Sequence, residues 1–442
     1  MIAVEAPDPT RRDEGESSLD LTEEQRRRSG WIDCEGERVV HSRALITACY
    51  MNGSVRLRIH DAIADVPRAQ WDALVDDRAT PFLSWAFLEA LEHSGCATVE
   101  TGWRPCHLAL WRGDALVAAA PAYLKDDSDG DFSRDWGWAE AAGRAGIPYY
   151  PKLELTVPFT PVTGRRVLVA AGEDRAACLR AIADGAREVA RELGAHSVHV
   201  LFPQADEALE WEACGLARRV DHQYHWRNDG YRSSEEFLAR FDSRRRNAIK
   251  RERAEPARQG ITLRTVRGDE LGQAPDDWAR AAFELHRSTV EKLEWGRGWL
   301  NLDFYRRVFA RMPEAIEFVE ARRGGRLVAG AFNVASRTRL YGRYWGCFEE
   351  HRFLHFNVCL YHSIDECIRR GVEAFEGGAG GEHKLGRGFE PAATFSNHAF
   401  LDPRLEAPLA AHIAREAEQH ERALDRWRAA SPILKHAAPR EA

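Results

Sequence analysis

One supersecondary pattern is written twice in this chain, and that duplication limits the fold more than any other feature. Residues 107–124, HLALWRGDALVAAAPAYL, align with residues 317–334, EFVEARRGGRLVAGAFNV, across a one-residue gap in the turn. Each predicts a strand, a tight turn (Arg112-Gly113-Asp114 and Arg323-Gly324-Gly325) and a second strand of small residues. A third strand follows in each copy, KLELTVPF (152–159) and LYGRYWGCF (340–348). Helical spacing comes next: Leu179, Ile182, Val189 and Leu193 stop at Gly194, and Val358, Tyr361, Ile364 and Ile368 stop at Gly371. Each copy then returns to a strand, SVHVLFP (197–203) and VEAFEGG (372–378). A meander that runs through a helix into a further strand is an α/β (α+β) arrangement, so the chain is expected to be a tandem, pseudo-symmetric protein. The expected segments are a disordered extension over 1–55, a first domain over 56–228, a basic connecting helix over 229–260, a second domain over 261–430 and a tail over 431–442.

Composition narrows the function classes. No apolar run approaches the ~20 residues of a membrane span, and the first residues, MIAVEAPDPTRRDEGESSLD, lack the basic start and apolar core of a secretory signal. Nine cysteines without a CxxC pair argue against a disulfide framework or a zinc site, so the expected compartment is the reducing cytoplasm. A net charge of −7 excludes indiscriminate nucleic-acid binding by the whole surface. Basic charge is nevertheless concentrated between the copies. Within YRSSEEFLARFDSRRRNAIKRERAEPARQGI (231–261), Ser233 and Glu236 have capping-box spacing, and Phe237, Phe241 and Ile249 mark the inner face of one long helix. Arg244, Arg245, Arg246, Lys250 and Arg251 on it are candidate contacts to phosphate or RNA. A short C-terminal helix is expected after Asp402-Pro403.

Chemistry concentrates in FEGGAGGEHKLGRGFEP, Phe375–Pro391. Only six of the 62 basic residues are lysine, and Lys384 is one of them, placed among glycines that let backbone approach a ligand. Glu382 or His383 is the candidate base, with Lys384 and Arg387 as point charge and fork for a phosphate. In LYGRYWGCF, strand alternation puts Arg343 and Trp345 on one face and Tyr344 on the other, with Tyr344 a candidate general acid or Arg343 a carboxylate clamp. YYPKLELTVPFTP offers Tyr149, Tyr150, Lys152 and Thr160 as acceptor contacts. His351 and His355 are four apart but have no third ligand nearby, and no metal is expected.

The segments WGWAEAAGRAGIPYYPKLELTVPFTPVTGRR (136–166), QYHWRNDGYRSSEEFLA (223–239), LYGRYWGCFEEHRFLHFN (340–357) and the glycine loop resemble the FemAB-like family of N-acyltransferases of peptidoglycan biosynthesis or recognition, over roughly residues 55–420. The resemblance implies two tandem GNAT-like domains of mixed, mostly antiparallel sheets with flanking helices, and transfer of an acyl or aminoacyl group to an amine. SRRRNAIKRERAEPARQGI is similar to the basic helix of the Fem enzymes. Lys384, Gly388 and Phe389 fall on their FKxGFG segment. GNAT enzymes that use coenzyme A carry a basic-x-x-Gly-x-Gly/Ala loop before the helix that follows the fourth strand. Here that position reads EEHRFLHFN (349–357), without glycine, and in the first copy VPFTPVTGRR. The implied donor is aminoacyl-tRNA or acyl-coenzyme A, with no tightly bound cofactor. The acceptor is a small-molecule or cell-wall-precursor amine, and tRNA is an implied partner. The alternative is a non-catalytic module that binds a cell-wall precursor or RNA through residues 244–253.

Overall fold

In the computed structural model, residues 49–431 are described, apart from 51–54, 77 and 293–296. The extension expected over 1–55 and the tail over 431–442 lie almost wholly outside them. Strands run in chain order as β1 (Cys49–Tyr50), β2 (Val55–His60), β3 (Trp103–Pro105), β4 (His107–Arg112), β5 (Ala115–Ala120), β6 (Ala122–Lys125), β7 (Lys152–Leu155), β8 (Leu168–Val169), β9 (Ser197–Leu201) and β10 (Ala217–Arg227). The second copy supplies β11 (Ile261–Arg267), β12 (Ile316–Arg323), β13 (Arg326–Ala335), β14 (Arg339–Cys347), β15 (Ala374–Glu376) and β16 (Glu390–Phe400). Both repeated hairpins form, β4 with β5 and β12 with β13. The second strand of the hairpin is continuous in copy two but breaks in copy one at Pro121, which has no N–H for a ladder. There the chain crosses from a five-stranded sheet, β1-β2-β4-β5-β8, into an eleven-stranded one.

The large sheet joins the copies by exchange. Its order is β11-β12-β13-β14-β15-β10-β16-β9-β7-β6-β3. In each copy the meander strand and the strand after the helix lie parallel, β7 with β9 and β14 with β15. The next place in each sheet is filled by the other copy: β10 of copy one pairs with β15, and β16 of copy two pairs with β9. β10 and β16 then pair with each other over nine residues. The two copies are thus joined through one sheet, with the β4–β5 hairpin of copy one left in the smaller sheet.

Helices cover the sheets with the spacings read from the sequence. Arg175–Glu192 buries Leu179, Ile182 and Val189. Leu354–Arg370 buries Val358, Tyr361, Ile364 and Ile368, widens into a π turn at Asn357–Tyr361, and ends at Gly371 with φ 69°. Two expectations are corrected. The connecting segment is two helices, Ser234–Ala239 and Ser243–Arg258, because Asp242 breaks it and accepts from the Arg245 N–H as a new N-cap. The C-terminal helix is long, Pro403–Ala429, burying Leu405, Leu409, Ile413, Ala417 and Leu424. Among the described residues no helix is long and apolar enough to cross a membrane, and seven cysteines are free thiols.

Candidate functional site

The parallel pair β14–β15 lasts three rungs, from Arg339↔Ala374 to Tyr341↔Glu376, and then parts. β14 continues along β13 to Cys347, while the chain after Glu376 turns away through glycines into a 3₁₀ turn, Glu382–Arg387. Gly378, Gly380 and Gly381 have φ of 81°, 74° and 93°, a region that side chains disfavour. Backbone that has lost its ladder partner needs another one. Lys384 supplies it on the loop side, donating from Nζ to Gly378 O and Gly380 O, both at 2.7 Å. Burial lowers the Lys384 ammonium to a pKa of about 8.

Arg387 locks the loop to the basic helix. Its Nε and Nη2 donate to Glu252 Oε2 at 3.1 and 2.9 Å, Nη1 donates to His383 O at 2.9 Å, and the guanidinium stacks on Phe356. The same Glu252 oxygen accepts from Tyr361 OH at 2.6 Å, and Arg245 Nε donates to Gly386 O. Lys384 and Arg387, read from the sequence as open phosphate ligands, are both buried and turn these donors onto protein groups. Glu382 and His383 are exposed at the rim. His383 faces Phe356 and His355, whose ring lies 4.7 Å from Trp345. Burial, reinforced by His383, Lys384 and Arg387, lowers His355 to a pKa of about 4, leaving it neutral. His351 instead bonds Gln259 Oε1 at 3.0 Å.

Arg343 and Tyr344 occupy the opposite face. Phe332 pairs with Tyr344 and Asn333 with Gly342, so Arg343 is the extra residue of a β-bulge. The bulge cancels the expected alternation: Arg343 Nη2 donates to Phe159 O at 2.5 Å, and Tyr344 OH to the same oxygen at 3.5 Å. Trp345, expected beside Arg343, lies across the sheet with His355. Tyr344 stacks on His286 at 4.1 Å, and burial raises its hydroxyl pKa. A small cavity here is lined by Phe82, Phe159, Thr160, Phe332, Arg343 and Tyr344. Thr160 Oγ1 itself donates to Pro158 O.

In copy one, buried charge gathers at the start of the parallel pair, beside its first rung Leu153↔Val198. Lys152 Nζ meets Asp131 and Asp135 at 2.7 Å and Glu154 at 2.9 Å, all fully buried. Tyr149 OH donates to Asp135, and Tyr150 OH lies 2.7 Å from Ser128 Oγ. These residues were expected to contact an acceptor. Here Lys152 is enclosed, with no face on solvent.

Two residues at the gap escaped the sequence reading. Glu376 ends β15, and His225 on β10 is its cross-strand partner; both are buried. The signal was present as a carboxylate directly before Gly377-Gly378. Of the basic helix, Arg244, Lys250 and Arg251 are exposed, Arg245 and Arg246 half-buried.

Residues 62–435 match the FemAB-like family, described as one of peptidoglycan biosynthesis or recognition. The chain belongs to the FemAB-like family. Solved structures similar to this FemAB-like chain include FemX, at 12% identity and a TM-score of 0.46, covering 78% of this chain and 98% of that one. L-PGS from Bacillus licheniformis is 9% identical with a TM-score of 0.46, covering 79% and 97%. A tandem GNAT protein from the clavulanic acid biosynthesis pathway is 15% identical with a TM-score of 0.40, covering 79% and 99%. No curated protein matches the sequence.

Proposed function

We propose that this chain transfers an aminoacyl or acyl group to an amine on a peptidoglycan-precursor-like acceptor, by direct attack at the gap between β14 and β15. The supporting observation is the gap itself: two parallel strands part after three rungs, and the loop filling the opening carries a buried lysine with a depressed pKa. Two of the ammonium's hydrogens are held by Gly378 O and Gly380 O. The third is assigned to the oxyanion that develops on the attacked carbonyl, where a preorganised donor in a dry site acts most strongly. Arg343, on the other face of β14, is assigned to the acceptor side.

An RNA-linked donor fits better than coenzyme A. Arg244, Lys250 and Arg251 offer exposed charge to a phosphate backbone, whereas the turn before the helix at Leu354 has no glycine in 349–357. Cytoplasmic action follows from such a donor. The test uses alanyl-tRNA and acetyl-coenzyme A as donors and a nucleotide-linked muramyl pentapeptide as acceptor. Transfer by the native chain, lowered about 100-fold or more in Lys384→Met, is expected. No product from either donor would overturn the reading.

A further inference from the structure

We propose that Glu376, paired with His225, is the proton acceptor for the attacking amine; this rests on the acyl-transfer reading and names the base for it. Glu376 stands on the last rung before the strands part, opposite Tyr341 on one side and His225 on the other. Its Oε1 lies 3.3 Å from Arg339 Nη1, and its Oε2 lies 3.4 Å from the Thr163 N–H and 3.8 Å from His225 Nε2. Two buried polar atoms on these neighbours, His225 Nε2 and Thr163 Oγ1, have no hydrogen-bond partner. Buried polar groups are nearly always paired, and each exception asks for an explanation. Here both exceptions belong to residues that flank one carboxylate on the last rung of the β14–β15 ladder. An incoming amine would supply the missing partner.

The surroundings suit a base at neutral pH. Arg339, Tyr341 and Arg343 act on the carboxyl from β14, Arg166 from the loop of copy one and His225 from β10, with Lys384 acting on His225 in turn. Burial outweighs the arginines and raises Glu376 to a pKa of about 7. Burial, with Arg339, Arg227 and Lys384, lowers His225 to about 3, so it faces the carboxylate as a neutral ring.

The step balances without a further reactant. The neutral amine attacks the acyl carbon, a C–N bond forms, and the nitrogen gives one proton to Glu376. The C–O bond to the tRNA ribose, or the C–S bond of a thioester, breaks. Glu376 returns the proton to the leaving oxygen or sulfur and is a carboxylate again.

The same two donors and muramyl pentapeptide probe test this, with native chain, Glu376→Gln, Glu376→Asp and His225→Asn compared across the neutral pH range. Glu376→Gln is expected to lose at least about 100-fold in kcat with KM little changed, and to lose the acidic limb of the pH profile. His225→Asn should shift that limb without abolishing turnover. An unchanged kcat and pH profile in folded Glu376→Gln would overturn the assignment and leave the transferase reading standing. If Glu376→Gln fails to fold, an acidic limb in Glu376→Asp identical to the native one overturns it equally. A native chain inactive with both donors overturns the two together.

Discussion

Arg387 and Glu252 stand 135 residues apart and meet with two guanidinium nitrogens on one carboxylate oxygen, at 3.1 and 2.9 Å. That contact ties the glycine loop to the basic helix. Removing one partner of a largely buried pair leaves the other charge stranded, which costs more than the pair contributes. Glu252→Ala is expected to destabilise the chain by about 3 kcal/mol, read as a lower urea midpoint. It also frees Tyr361 OH. An unchanged midpoint would mean that the pair does not hold the loop.

Lys384 predicts an alkaline gain in stability. Its folded pKa of about 8 lies below the ordinary lysine value of 10.5. Between those limits the unfolded chain binds more protons, so stability rises with pH. Lys384→Met removes the effect. The native chain should gain up to about 3 kcal/mol relative to that variant between pH 8 and 10.5. Parallel urea titrations of the two chains would show no divergence if the ammonium is not buried.

Glu376 runs the other way. Its pKa is raised from 4.5 to about 7, so the folded chain holds the proton more tightly. The contribution is fully present below pH 4.5 and is lost as pH rises through 7. Glu376→Gln keeps the shape without the charge and should therefore be more stable than the native chain at pH 8, by about 2 to 3 kcal/mol. Equal midpoints at pH 8 would place the carboxylate in a wetter setting.

Two glycines predict opposite outcomes. A Cβ on Gly346 would lie 1.7 Å from Leu285 O, a backbone atom that cannot swing aside. Gly346→Ala should cost about 3 kcal/mol or more. A Cβ on Gly386 would meet Arg245 Nη2 at 1.3 Å, the free end of a flexible side chain. Gly386→Ala should leave the fold near native while displacing Arg245 from the loop. Thermal melts of both variants give the comparison.

Neutralising Arg244, Lys250 and Arg251 together should weaken tRNA binding and flatten its salt dependence, by up to about 2 to 3 in the slope of log affinity against log salt. Filter binding at several salt concentrations would show an unchanged slope if the helix does not face RNA.

The duplicated hairpins, the helices at Leu179–Leu193 and Val358–Ile368, and the glycine stops were legible because they depend on local periodicity and turn chemistry. The exchange of β10 and β16 was not, since alternation marks a strand without naming its partner. Within the site, the loop was legible from its glycines. The bulge at Arg343 was not, because one inserted residue inverts every face assignment after it. Burial also reversed the reading of Lys152, whose charge looks like surface until Asp131, Asp135 and Glu154 surround it.

Strand exchange has a consequence during synthesis. When β9 leaves the ribosome its neighbour β16 does not yet exist, and that edge stays bare until Glu390–Phe400 is translated. β10 meanwhile waits for both its partners, β15 and β16. An unpaired edge is a template for the wrong strand. The first copy is thus expected to need protection for the whole time the second is being made, and a gene cut between the copies would yield two fragments that fold only in each other's presence.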